Sequence, residues 1–177
     1  GGDFGTLGGQ ARSCIARLNA GGTLDAAFNP NSNNIVYALA VQPDGRIVMG
    51  GWFSMLGGQT RNHIARLNAD GTLDTAFNPD ANSPVDTLAL QSDGRIVVGG
   101  WFTTLGGQTR NNIGRLNADG TLDTTFNPGT DGYVYALALQ SDGKIVVGGD
   151  FTALGGETRD YIGRLSSDAA ALQNLAA

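Results

Sequence analysis

The chain repeats itself with a period of 49 residues. Gly-Gly pairs fall at 1–2, 50–51, 99–100 and 148–149, and no residue is inserted or lost between them. Residues 50–98 and 99–147 match at 36 of 49 positions, so the 177 residues hold about 3.6 copies of one unit. A period of this length marks a stacked-repeat architecture, because one small unit cannot bury its own apolar faces and its siblings must cover them. The 28 glycines recur at fixed places in the unit without a G-X-Y period, as turn residues do.

Each unit reads as four short antiparallel strands with no helical period. Residues 133–149, YVYALALQSDGKIVVGG, form a hairpin, with versions at 35–51 and 84–100. In its first strand Val134, Leu137 and Leu139 alternate with Ala136 and Ala138. Large residues on one face and small ones on the other suit a strand buried on both sides, with little room on one of them. The turns Pro43-Asp44-Gly45, Ser92-Asp93-Gly94 and Ser141-Asp142-Gly143 predict three-residue loops whose Gly takes a positive φ. The second strand is expected over 47–53, 96–102 and 145–151. The glycine pairs that it carries mark places where a neighbouring strand or sheet comes close.

A loop follows, LGGQTRN at 56–62 and 105–111, LGGETRD at 154–160 and LGGQARS at 7–13, and it reads as an irregular turn. A third strand is expected at 15–18, 64–67, 113–116 and 162–165. After an Asp-Gly turn, a fourth is expected at 23–28, 72–77 and 121–126, stopped by Asn-Pro. Placing Ala69-Asp70-Gly71 in a three-residue loop sets Leu67 opposite Leu73 and Arg66 opposite Asp74. Arg17–Asp25, Arg66–Asp74 and Arg115–Asp123 are therefore expected as cross-strand ion pairs of structural purpose. The divisions are a partial unit at 1–34, complete units at 35–83 and 84–132, and a partial unit at 133–177. The divergent ending 166–177 lacks the fourth strand, and 171–176 alternates loosely like a first strand. The chain starts without Met and partway through a unit, so it reads as part of a longer protein.

Several chemistries find no footing. Eleven Lys and Arg spread along a chain of net charge −5 make no basic face for nucleic acid. No apolar run is long enough to insert in a membrane. Cys14 and His63 share one repeat slot with Asn112 and Tyr161, which argues for turn residues rather than a thiol nucleophile, proton carrier or metal ligand. GGDF at 1–4 and 148–151 becomes GGWF at 50–53 and 99–102, so it is no cyclase signature. Asn68-x-Asp70-Gly71-x-x-Asp74 lacks the oxygen series of a calcium loop. No metal, cofactor or catalytic set is expected.

Two sets of residues remain as binding candidates. Arg12, Arg61, Arg110 and Arg159 recur in the Gly-rich loop. They either order it through backbone carbonyls or form a ring of exposed cations for an anionic or sugar ligand. Trp52 and Trp101 share a slot with Asp3 and Asp150. They either pack on a neighbouring sheet or stack on a sugar ring.

The strings VYALALQSDGKIVVGGDFTALGG and RLNADGTLDTTFNP resemble the delta-60 repeat family of long bacterial proteins, over residues 1–165. The resemblance implies an all-β fold, a β-propeller of four-stranded antiparallel blades. The ring would be larger, seven-bladed for example, or completed by another chain, with a β-solenoid as the alternative. The family's usual repeat is longer than 49 residues, and it has no established activity. The Gly-Gly pair is also similar to kelch propellers, whose Tyr and Trp are missing here. The function expected is non-catalytic binding or scaffolding within a secreted or surface bacterial protein, with a protein or carbohydrate ligand. A lectin-like module and a piece of a propeller enzyme are the alternatives.

Overall fold

The computed structural model describes residues 1–167 and 172–173. Every regular element among them is a strand. Three antiparallel sheets follow one another along the chain. The first joins Val36–Val41, Ile47–Gly51 and Ile64–Leu67; the second joins Val85–Leu90, Ile96–Gly100 and Ile113–Leu116. The third joins Tyr133–Leu139, Ile145–Asp150 and Ile162–Leu165, with Leu172–Gln173 on its outer edge. Each sheet is a blade, and the innermost strands of successive blades lie against each other.

The core sits between blades. Val48, Ile64 and Phe77 of one blade meet Val85, Ile96, Val98 and Phe102 of the next. One repeat further on, Val97, Ile113 and Phe126 meet Val134, Ile145, Val147 and Phe151. The glycine pair makes this approach possible. A Cβ on Gly50 would stand 2.5 Å from the Val85 side chain of the next blade. One on Gly51 would stand 2.2 Å from the Ile35 carbonyl of its own blade. The expectation of close approach thus holds for both residues, each toward a different neighbour.

The Arg–Asp register is the expected one. Leu67 bridges Leu73, and Arg66 Nε donates to Asp74 Oδ2 at 2.8 Å. The same pairs form at Arg17–Asp25 and Arg115–Asp123. Each guanidinium also stacks on a Phe of its own blade, and Nη1 of Arg66 reaches the Ala118 carbonyl of the next blade at 2.6 Å. One side chain therefore fastens the outer part of its blade and the neighbouring turn together.

Three expectations change. The fourth strand shrinks to single bridges at Leu18–Leu24, Leu67–Leu73 and Leu116–Leu122. Asp74 ends it by accepting the Ala76 amide on its side chain, which turns the chain and drives Phe77 into the core. The Gly-rich loop is regular: Met55–Leu56 pairs with Gln59–Thr60, and Gly57 and Gly58 both have positive φ, as a two-residue hairpin of mirror-image turn type requires. At the ending, Leu172 and Gln173 pair with Leu165 and Arg164, so they take a fourth-strand place and not a first-strand one. The rest of the alternation suggested for 171–176 lies outside the described residues.

Candidate binding surface at one end of the inner strands

The inner strand carries a bulge in every blade. Val36 pairs with Gly51 and Ala38 with Gly50, leaving Tyr37 as the extra residue. Asp86 and Tyr135 occupy the same place in the next two blades. A bulge re-aims its side chain, and these three gather at the end of the blades away from the Asp-Gly turns. The residue after the glycine pair arrives beside them, since the Trp52 amide donates to the Ile35 carbonyl and the Trp101 amide to the Pro84 carbonyl.

The result is a strip of exposed aromatic and acidic groups. Trp52 is 51% exposed and Trp101 40%. Trp101 lies flat on Tyr133, with ring centroids 4.5 Å apart, and Tyr133 meets Tyr135 at a tilt. Tyr37, Trp52, Pro84, Asp86 and Trp101 line a small crevice. Burial pushes the half-buried Asp86 carboxyl above its usual range, and a hydrogen bond from the Trp101 side chain opposes that rise. Burial also raises Tyr37, helped by the negative charges of Asp86 and Asp3. Tyr135 rises through burial and through Asp150, Asp86 and Tyr133.

Of the two readings of the loop arginines, Arg12, Arg61 and Arg110 take the ordering one: they turn in to backbone carbonyls and form no exposed ring. Arg12, Arg61 and Arg110 are buried. Arg61 Nη1 donates to the Thr60 carbonyl at 2.6 Å and Nη2 to that of Thr75 at 3.3 Å. Arg12 and Arg110 do the same with Ala11 and Ala26, and with Thr109 and Asp123. They tie the hairpin loop to the segment after the third strand. Arg159 is half-buried and donates to Thr158.

His63 takes a positive φ, as do Cys14, Asn112 and Tyr161 in its slot, and its Nδ1 lies 3.3 Å from the Gly51 carbonyl. No group of three His, Cys, Asp or Glu able to hold a metal occurs among the described residues. No helix among them is long and apolar enough to cross a membrane. Larger clefts lie between blades at the turn end and the outer rim, and their linings mix polar and apolar residues.

Sequence reasoning found Trp52 and Trp101 but missed Tyr37, Pro84, Asp86, Tyr133 and Tyr135. A signal was present. Of the 13 mismatches between 50–98 and 99–147, seven fall within 80–87, the segment that enters the inner strand.

A family model described as "Domain of unknown function (DUF5122) beta-propeller" matches residues 1–28, 42–77, 91–126 and 140–168. No curated protein sequence matches the chain. Among solved structures, the WD40 β-propeller domain of Doa1 is similar at a TM-score of 0.60 and 18% identity, over 86% of this chain and 44% of that one. The extracellular domain of the one-component system BT4673 from B. thetaiotaomicron is similar at 0.53 and 18% identity, over 87% of this chain and 18% of that one. A streptogramin B lyase is similar at 0.49 and 24% identity, over 81% of this chain and 40% of that one. The chain thus spans less than half the length of each. At these identities the first two likenesses speak for the fold, a β-propeller of antiparallel blades.

Proposed function

The chain belongs to the family described as domain of unknown function (DUF5122) β-propeller, and from that premise we propose that it is a non-catalytic binding or scaffolding module. Its place is within a larger bacterial protein at the cell surface or outside the cell, as the delta-60 resemblance suggests, with further blades from the same or another chain completing the ring. One observation carries the reading. The blades are nearly alike, yet they diverge where bulged residues and exposed indoles gather at one end of the inner strands. Exposed aromatic clusters beside polar groups are the usual anchors of recognition. The non-catalytic part of the reading is supported by His63 being a turn residue, interchangeable between repeats with Cys14, Asn112 and Tyr161.

A second reading, a lectin-like module, draws on the same indoles, whose faces can stack on a sugar ring. The inward turn of Arg61 and Arg110 leaves the indoles without those cations for a sugar ligand. The test is a labelled chain on glycan and peptide arrays, beside a Trp52→Ala/Trp101→Ala variant. Both indoles are largely exposed, so the variant should keep its circular dichroism and lose binding. Undiminished binding by the folded variant would move the contacts to another face.

A further inference from the structure

We propose that the crevice between Trp52 and Trp101 binds the quaternary ammonium group of a small soluble ligand. The inference rests on the reading of this end as a binding surface and names the chemistry that it selects.

The crevice lies where the blade of Trp52 meets the blade of Trp101. Tyr37, Trp52, Pro84, Asp86 and Trp101 line it, and the Trp101 side chain donates a hydrogen bond to the Asp86 carboxylate. One repeat later Tyr133 replaces Pro84 and lies flat on Trp101, which fills the corresponding space. One repeat earlier Asp3 stands in the Trp slot, so the second indole is missing. Pro84 for Tyr133, and Asp86 for Tyr37 or Tyr135, are therefore the changes that open the site.

The lining selects positive charge. Aromatic rings attract cations through the negative potential of their faces, Trp most strongly, and rings around a quaternary ammonium are the known use of that attraction. The groups whose charges act on Tyr37 and Tyr135 are the acids Asp3, Asp86 and Asp150, together with Tyr133. A half-buried carboxylate gains from a counter-charge, which a neutral sugar does not bring. Asp86 already accepts the Trp101 hydrogen bond. A cation without N–H groups leaves that bond intact and has no donors of its own to satisfy.

The test is a tryptophan-fluorescence titration of the 177-residue chain at constant ionic strength. The probes are choline, its uncharged carbon isostere 3,3-dimethylbutan-1-ol, phosphocholine and a trimethyl-lysine peptide. Choline should give a saturable change, and the isostere should bind at least about tenfold more weakly. Phosphocholine should also be weaker, because its phosphate meets Asp3 and Asp86. Trp52→Phe and Asp86→Asn should each weaken choline with unchanged circular dichroism; neither disturbs the core. Equal response to choline and its isostere, or an Asp86→Asn protein that binds as well as wild type, would overturn the proposal. A trimethyl-lysine peptide binding more tightly than choline would overturn the small-ligand assignment in favour of a protein partner. Array binding that needs the tryptophans while choline fails would sink the ammonium site and leave the binding module standing.

Discussion

Asp86 and Asp123 show how one residue type is put to opposite uses. At Asp123 burial alone would raise the carboxyl, but hydrogen bonds from Thr125 and Arg115 and the Arg115 charge outweigh it, and the group lies below its ordinary range. At Asp86 burial prevails and the carboxyl lies above it. The sign of the stability effect follows. A carboxyl raised in the folded state costs nothing while both states are protonated. The cost grows as pH rises above the unfolded value of about 3.9 and levels off above the folded one. Asp86→Asn should therefore be at least as thermostable as wild type at pH 7, with the difference vanishing below about pH 4. Thermal melts across that range check it; a variant markedly less stable at pH 7 would contradict the assignment. A residue that costs stability where it stands fits a binding site better than a scaffold.

At the scale of the strand and turn, the sequence was most legible where local chemistry decides the outcome. Asp-Gly loops set the Arg66–Asp74 register because a three-residue turn leaves one choice. The bulge was passed over by the plain alternation expected here, although Val134, Leu137 and Leu139 are spaced by three residues and then two, which only an extra residue reconciles with one face. The fourth strand misled because Thr72–Phe77 alternates like a strand while Asp74 turns the chain from within. The sequence left the inward turn of Arg61 as one of two readings, since the choice depends on a carbonyl 14 residues away. The glycine pair gives a prediction at this scale. Gly50→Ala and Gly99→Ala push a methyl within 2.5 and 2.6 Å of the next blade's Val85 and Val134, and each should cost about 1–3 kcal/mol. Gly148→Ala meets nothing nearer than 3.8 Å and should be far milder. Urea midpoints of the three variants decide it, and equal losses would mean that the blades do not press together at this point.

Over the whole molecule, each blade is completed by its neighbours. Leu88 and Leu90 pack on the blade before them, whereas their equivalents Leu39 and Val41 are 42% and 66% exposed. Apolar residues at one repeat position thus change from half-buried to open with the presence of a sibling sheet, as expected of a quasi-linear stack. The crevice follows the same logic, since Trp52 comes from one blade and Asp86 and Trp101 from the next. Native-state hydrogen exchange tests this dependence most directly, because local opening follows local burial. The amides of Ile96–Gly100 in the middle blade should exchange more slowly than those of Ile145–Asp150, despite near-identical sequence. Equal protection in the two strands would mean that each blade is stable by itself, and the account of mutual burial would fail.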